Sequence, residues 1–141
     1  MNSTLLYRIS AVLLALFAAG HTFGFLNFRP ASPEGLAVFD SMNTVLFEFK
    51  GKDYSYGQFY RGFGLTVTAY LLFSAFLAWH LGSVATSQPR SIVALAWVFA
   101  AVQAACLVLS LLYFFTAPAV LSGVVFIGLI CAAWLLPKAG T

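Results

Sequence analysis

The chain has 141 residues, 62% of them hydrophobic and only 8% charged, with a net charge of +3 and a mean hydropathy of +0.94. Soluble domains carry about 25% charged residues, so 7 basic and 4 acidic side chains cannot coat a water-facing globule of this size. The composition excludes a soluble domain. The scattered basic residues also exclude the clustered basic face that nucleic acid requires.

Marking every charge leaves three uncharged runs: 9–28, 62–89 and 91–137, of 20, 28 and 47 residues. A spanning helix needs about 20 residues. The third run would make one helix of about 70 Å at 1.5 Å per residue, so it must fold back. Thr116-Ala117-Pro118 is the break, because proline suits a first helical turn and resists an interior one. The pattern therefore predicts an all-α polytopic membrane protein. It is a four-transmembrane-helix bundle forming a single domain, with spans at 5–26, 58–81, 92–115 and 118–136, the last closed by Leu136-Pro137-Lys138. Arg8 followed by an apolar stretch imitates a signal peptide. The stretch continues through His21 to Phe28, however, so it reads as a retained first helix.

Between the first two spans lies a long connection, 27–57. Ser32-Pro33-Glu34 reads as an N-cap, a first-turn proline and a first-turn acid. Leu36, Phe39, Met42, Leu46 and Phe49 follow at helical spacing, which predicts an interfacial cap burying Phe39, Met42 and Leu46. From Phe47 to Tyr56 the residues alternate, and a short hairpin turning at Gly51 competes with the helix there. The second connection, 83–91, is short and polar. Lys and Arg counts at the two ends of the spans are three against four and do not decide orientation. The mixed-charge long loop is the easier one to translocate, which places both termini in the cytoplasm.

Close approach between helices in lipid relies on small residues. Ala11, Ala15 and Ala19, Gly20 and Gly24, Ala78 and Gly82, Ala96, Ala100 and Ala104, and Gly128 and Ala132 all recur at four-residue spacing. They serve packing within the chain or a homo-oligomer. Cys106 and Cys131 sit in apolar runs without C-x-x-C spacing and read as small hydrophobes. His21 and His80 fall toward opposite ends of antiparallel spans, too far apart to share a metal. No metal or cofactor is expected.

Polar residues within spans are costly and mark function or interhelical bonding. His21 lies in the outer part of the first span, and Gln58, Arg61 and Thr68 lie in the outer part of the second. Gln103, Ser110 and Tyr113 form a stripe with Cys106 and Thr116 on the third. Together His21, Gln58, Arg61, Thr68, Gln103, Ser110 and Tyr113 are the candidate ligand-binding residues, facing one outward pocket amid many aromatics. Against this stand snorkelling of Arg61, a backbone bond from His21, and glue roles for Gln103 and Ser110.

The segments Gly20-His21-Thr22-Phe23-Gly24 and 54–64, YSYGQFYRGFG, resemble small bacterial four-helix membrane proteins of unassigned function. That resemblance implies a bacterial inner-membrane location and no activity. The layout is also similar to the membrane-associated enzymes of eicosanoid and glutathione metabolism. Those carry Glu, Arg and Asn motifs in the second span, of which only Arg61 has a match here. The leading expectation is a membrane module binding a lipid or other lipophilic small molecule in the outer half of the bundle. The alternatives are an enzyme on a lipophilic substrate, with Arg61 holding an anion and His21 moving a proton, and an accessory subunit of a membrane complex. Membrane lipids are the expected partners.

Overall fold

The computed structural model describes residues 2–136 and is all-α apart from one hairpin. Helix α1 spans Ser3–Asn27, α2 Pro33–Thr44, α3 Tyr56–Ser87, α4 Val93–Tyr113 and α5 Thr116–Trp134. A single 3-10 turn, Pro89–Ile92, leads into α4. Strands β1, Leu46–Phe49, and β2, Lys52–Ser55, lie between α2 and α3. Four helical segments, Ser3–Asn27, Tyr56–Ser87, Pro89–Tyr113 and Thr116–Trp134, are long and apolar enough to cross a membrane.

Helix ends follow local chemistry. Asn2 Oδ1 accepts from the Leu5 amide at 2.9 Å and starts α1. Ser32 Oγ accepts from the Gly35 amide at 3.0 Å, with Pro33 behind it, as the sequence predicts for α2. α3 runs on through the polar segment to Ser87, six residues past the expected end at 81. The fold-back between α4 and α5 comes earlier than expected. Phe114 and Phe115 make the extended break, and Pro118 sits inside the first turn of α5, where its missing N–H leaves no helical bond unmade. Pro137 and Lys138 lie outside the described residues.

The chain divides into two compact units. One is built from 2–17 and 71–136 of the described residues, the other from 18–70. In the first unit the core holds Tyr7, Leu14, Leu81, Val125 and Leu129, each nearly inaccessible, among Ala11, Ala78, Ala96, Ala100 and Ala132. Large side chains such as Phe76, Leu112 and Trp134 point outward and are about two-thirds exposed. Alanine inside and phenylalanine outside reverses the soluble pattern and suits helices whose exterior meets lipid.

Two glycines mark where these helices come closest. A Cβ on Gly82 would lie 3.2 Å from Tyr7 Cβ and 3.4 Å from the Thr4 carbonyl oxygen, so α3 rests against α1 there. A Cβ on Gly128 would lie 2.7 Å from Ser10 Oγ, so α5 also rests against α1. Ala15 and Ala19 are exposed, so only the Ala11 end of that stripe packs inside the chain. At the same end of α1, the Arg8 guanidinium lies 3.6 Å from the Trp79 ring centroid and donates to Ser83 Oγ at 2.8 Å.

In the second unit, β1 and β2 pair antiparallel with Phe47 opposite Tyr54 and Glu48 opposite Asp53. Lys50 and Gly51 form the two-residue turn, with φ of 53° and 75°. Positive φ at both positions is what a hairpin turn matched to the strand twist needs. α2 therefore stops at Thr44 and the helical spacing read through Leu46 and Phe49 fails. On a strand, adjacent side chains point to opposite faces. Leu46 is accordingly 59% exposed, not buried, while Phe47 turns in against Tyr54, Tyr56 and Phe59, with ring centroids 6.2, 5.0 and 5.4 Å away. Phe39 and Met42 are half-buried as part of α2's inner side.

The α1–α5 approach can be tested by substitution. Gly128→Ala should destabilise the detergent-solubilised protein by about 1 kcal/mol through overpacking. Most of that loss should vanish in the Ser10→Ala background, because the clash is with the hydroxyl alone. Thermal unfolding of the two single variants and the double variant measures it.

Candidate functional site

His21, Thr22, Phe25, Gly64 and Thr68 all belong to the 18–70 unit. His21 Nε2 lies 3.1 Å from the Gly64 carbonyl oxygen, so its N–H donates across from α1 to α3. Thr22 Oγ1 lies 2.7 Å from the Ala18 carbonyl oxygen and 2.8 Å from Thr68 Oγ1, which lies 3.2 Å from the Gly64 oxygen. Each hydroxyl has one proton. The shortest distances assign the Thr22 proton to Ala18 and the Thr68 proton to Thr22, leaving His21 as the donor to Gly64. Phe25 lies over the same spot. A Cβ on Gly64 would fall 2.6 Å from Phe25 Cε2, and the Phe25 ring sits 5.1 Å from the His21 ring. Gly64 is needed because the aromatic ring occupies its side-chain space.

Gln58 is a helix cap. Its Oε1 accepts from the Ser55 amide at 2.9 Å, and Ser55 Oγ accepts from the Gln58 amide at 3.2 Å. This reciprocal pair is a capping box at the start of α3. Its signature, Ser-x-x-Gln, stands in the sequence at 55–58 and accounts for Gln58 without a ligand.

Arg61 stands at a cavity of about 260 Å³. Its walls are Phe25, Leu26, Phe28 and Arg29 from α1 and the segment after it, Phe39, Met42 and Asn43 from α2, and Gly57, Tyr60 and Arg61 from α3. Arg61 Nη2 donates to Asn43 Oδ1 at 3.4 Å. Asn43 is held in turn, because its Nδ2 donates to the Phe39 carbonyl oxygen at 2.8 Å. The Asn43 amide oxygen also fills the space where Gly57 would carry a side chain. Asn43 thus joins α2 to α3 and aims its oxygen at Arg61. Arg29 Cζ lies 5.6 Å from the Phe39 ring centroid, within cation–π range. Among the described residues neither guanidinium has a carboxylate partner.

The expected seven residues therefore occupy different settings. Arg61 lines the cavity, whereas His21 and Thr68 belong to the neighbouring hydrogen-bonded crossing and Gln58 caps a helix. Gln103, Ser110 and Tyr113 belong to the other unit. Gln103 and Ser110 are buried there, and Ser110 Oγ lies 3.3 Å from Ser122 Oγ, bonding α4 to α5. Tyr113 is 75% exposed. Seven residues bring a helix back to nearly the same face, but three turn it ~60° away at about 3.6 residues per turn. The stripe therefore splits, with Gln103 and Ser110 inward and Cys106 and Tyr113 outward.

Arg29, Met42 and Asn43 were not expected as members of one site. Asn43 falls in the last turn of an amphipathic helix, where an asparagine ordinarily signals a helix end. Its amide instead bonds backward to Phe39, a contact that spacing alone does not reveal.

Comparison with known protein families, curated proteins and solved structures gives no match.

Two measurements check these assignments. Ser55→Ala should lower stability by about 1 kcal/mol, the usual loss of an N-cap, measured by thermal unfolding in detergent. Nitrogen NMR of His21 should show the Nε2–H tautomer, and Gly64→Ala should shift that resonance as Phe25 is pushed off the crossing.

Proposed function

We propose that the chain is a small integral membrane protein of four spans that binds a lipid or another lipophilic small molecule in the cavity of the 18–70 unit. The observation that carries this reading is the wall of that cavity. Phe25, Phe28, Phe39 and Tyr60 supply aromatic faces, Met42 supplies an adaptable thioether, and the polar side chains are few, chiefly Arg29, Asn43 and Arg61. Apolar walls with a small number of converging polar groups are the usual make-up of a small-molecule site. The four long apolar helices and the outward-facing large side chains support a bilayer setting.

The volume sets the scale of the occupant. About 260 Å³ lies just below the usual range for drug-sized ligands of roughly 300–1,000 Å³. It suits a head group and the first part of a chain, with the remaining tail left in lipid. The resemblance to bacterial membrane proteins supports an inner-membrane location, and the mixed-charge loop supports cytoplasmic termini. Binding is favoured over proton-transfer chemistry because the imidazole of this unit, His21, lies outside the cavity wall with its N–H on a backbone carbonyl.

Native mass spectrometry of protein extracted in a neutral detergent tests the reading. A 1:1 adduct with a membrane-derived molecule is expected for the wild type. Met42→Trp should fill the cavity and lose the adduct while keeping the helical circular-dichroism signal. An undiminished adduct in the folded Met42→Trp protein would reject this cavity as the site.

A further inference from the structure

We infer that the occupant is an anionic amphiphile whose carboxylate or phosphate head is held by Arg61 and Arg29, with its tail against Phe25, Phe39 and Met42. This rests on the cavity reading above and names the chemistry of its ligand.

Charge distinguishes this cavity. Two guanidiniums line one cavity of about 260 Å³, and among the described residues no carboxylate pairs with either. The unit contains Glu34, Asp40, Glu48 and Asp53, so acids are available on the same segment, yet the partner of Arg61 is the neutral amide of Asn43. That contact, at 3.4 Å, engages Nη2 alone. A guanidinium has five N–H donors in a planar fork, which matches the two oxygens of a carboxylate or phosphate. Asn43 acts as a positioning residue. Its amide is locked by the Phe39 carbonyl at 2.8 Å, so its oxygen holds the Arg61 fork at the cavity wall without neutralising it. Arg29 is steered similarly by the face of Phe39, which offers attraction and leaves its charge intact. A cationic pair beside an aromatic and thioether wall is complementary to a molecule with a negative head and an apolar tail.

Titration calorimetry in a neutral maltoside detergent separates the possibilities with probes sharing one tail: dodecanoate, dodecyl phosphate and dodecanol, plus inorganic phosphate without a tail. Wild-type protein should prefer at least one dodecyl anion over dodecanol by about tenfold or more, as expected for a charge-assisted bidentate contact. That preference should fall toward unity in Arg61→Gln and weaken in Arg29→Gln, with Arg61→Lys keeping more of it than Arg61→Gln. Lys52→Gln, at the hairpin outside the cavity wall, should keep it whole. Circular dichroism and size-exclusion profiles confirm that the compared variants are folded. Dodecanol binding as tightly as both anions, or an unchanged preference in folded Arg61→Gln and Arg29→Gln, would overturn the anionic head. Inorganic phosphate binding as tightly as dodecyl phosphate would overturn the amphiphile in favour of a free anion. Met42→Trp distinguishes the two levels. If it abolishes binding of every tailed probe while the arginine variants change nothing, the cavity stands and the head-group assignment fails. If it leaves all binding intact, the cavity itself is wrong.

Discussion

Close approach of a side chain to a neighbouring helix backbone is the constraint on which the helix contacts of this chain depend. In the first unit Tyr7 lies against Gly82 and Ser10 against Gly128. In the second, Phe25 lies over Gly64 and the Asn43 amide over Gly57. Helices whose outer surfaces are as apolar as their inner ones gain little by burying leucine against leucine in a bilayer. Van der Waals fit and a few interhelical hydrogen bonds must do that work instead. The buried sides are accordingly alanine-rich, and the large residues are left outside.

Hydrogen bonds then fix which helix faces which. Ser110 with Ser122, Thr22 with Thr68 and His21 with Gly64 each join two helices, and each is modest, on the order of 0.6 kcal/mol by measurements on membrane helices. Their value lies in direction. The His21 N–H meets the Gly64 carbonyl where Phe25 is also seated over the glycine, so polar bond and ring packing favour the same register. The same logic holds at α2, where Asn43 is bonded backward to Phe39 and forward to Arg61.

The spans were legible because charge is forbidden for long stretches, and the gaps between charges mark them whatever the local propensities. Their ends were less so. α3 continues through Ser83, Thr86 and Ser87, since hydroxyls that bond back to the preceding turn let a helix go on in polar surroundings. The α4–α5 break fell at two phenylalanines upstream of the proline, because a proline in a first turn marks a helix start without marking which residue precedes it. Alternation from Phe47 to Tyr56 did show the hairpin as an option, and the Lys50-Gly51 turn decided it. Of the expected residues, Arg61, singled out by the cost of a charge within a span, lines the cavity. Gln58 and Tyr113 were selected by depth, and depth does not report direction. Arg29 lay beyond the span in a connection where charge is cheap, so nothing in the one-dimensional pattern joined it to Met42 and Asn43.

For the binding proposed above, the neutrality of Asn43 bears on what is kept out. A carboxylate at that position would neutralise Arg61 and leave Arg29 as the single guanidinium charge on the cavity wall. An amide leaves two positive charges facing the same small volume. Discrimination between molecules often rests on repulsion as much as on attraction. Amines, quaternary ammonium heads and divalent cations would all meet like charge there. On the proposed reading the cavity would therefore select against cations, and the neutral amide of Asn43, holding Arg61 without cancelling it, adds a second positive charge to that selection.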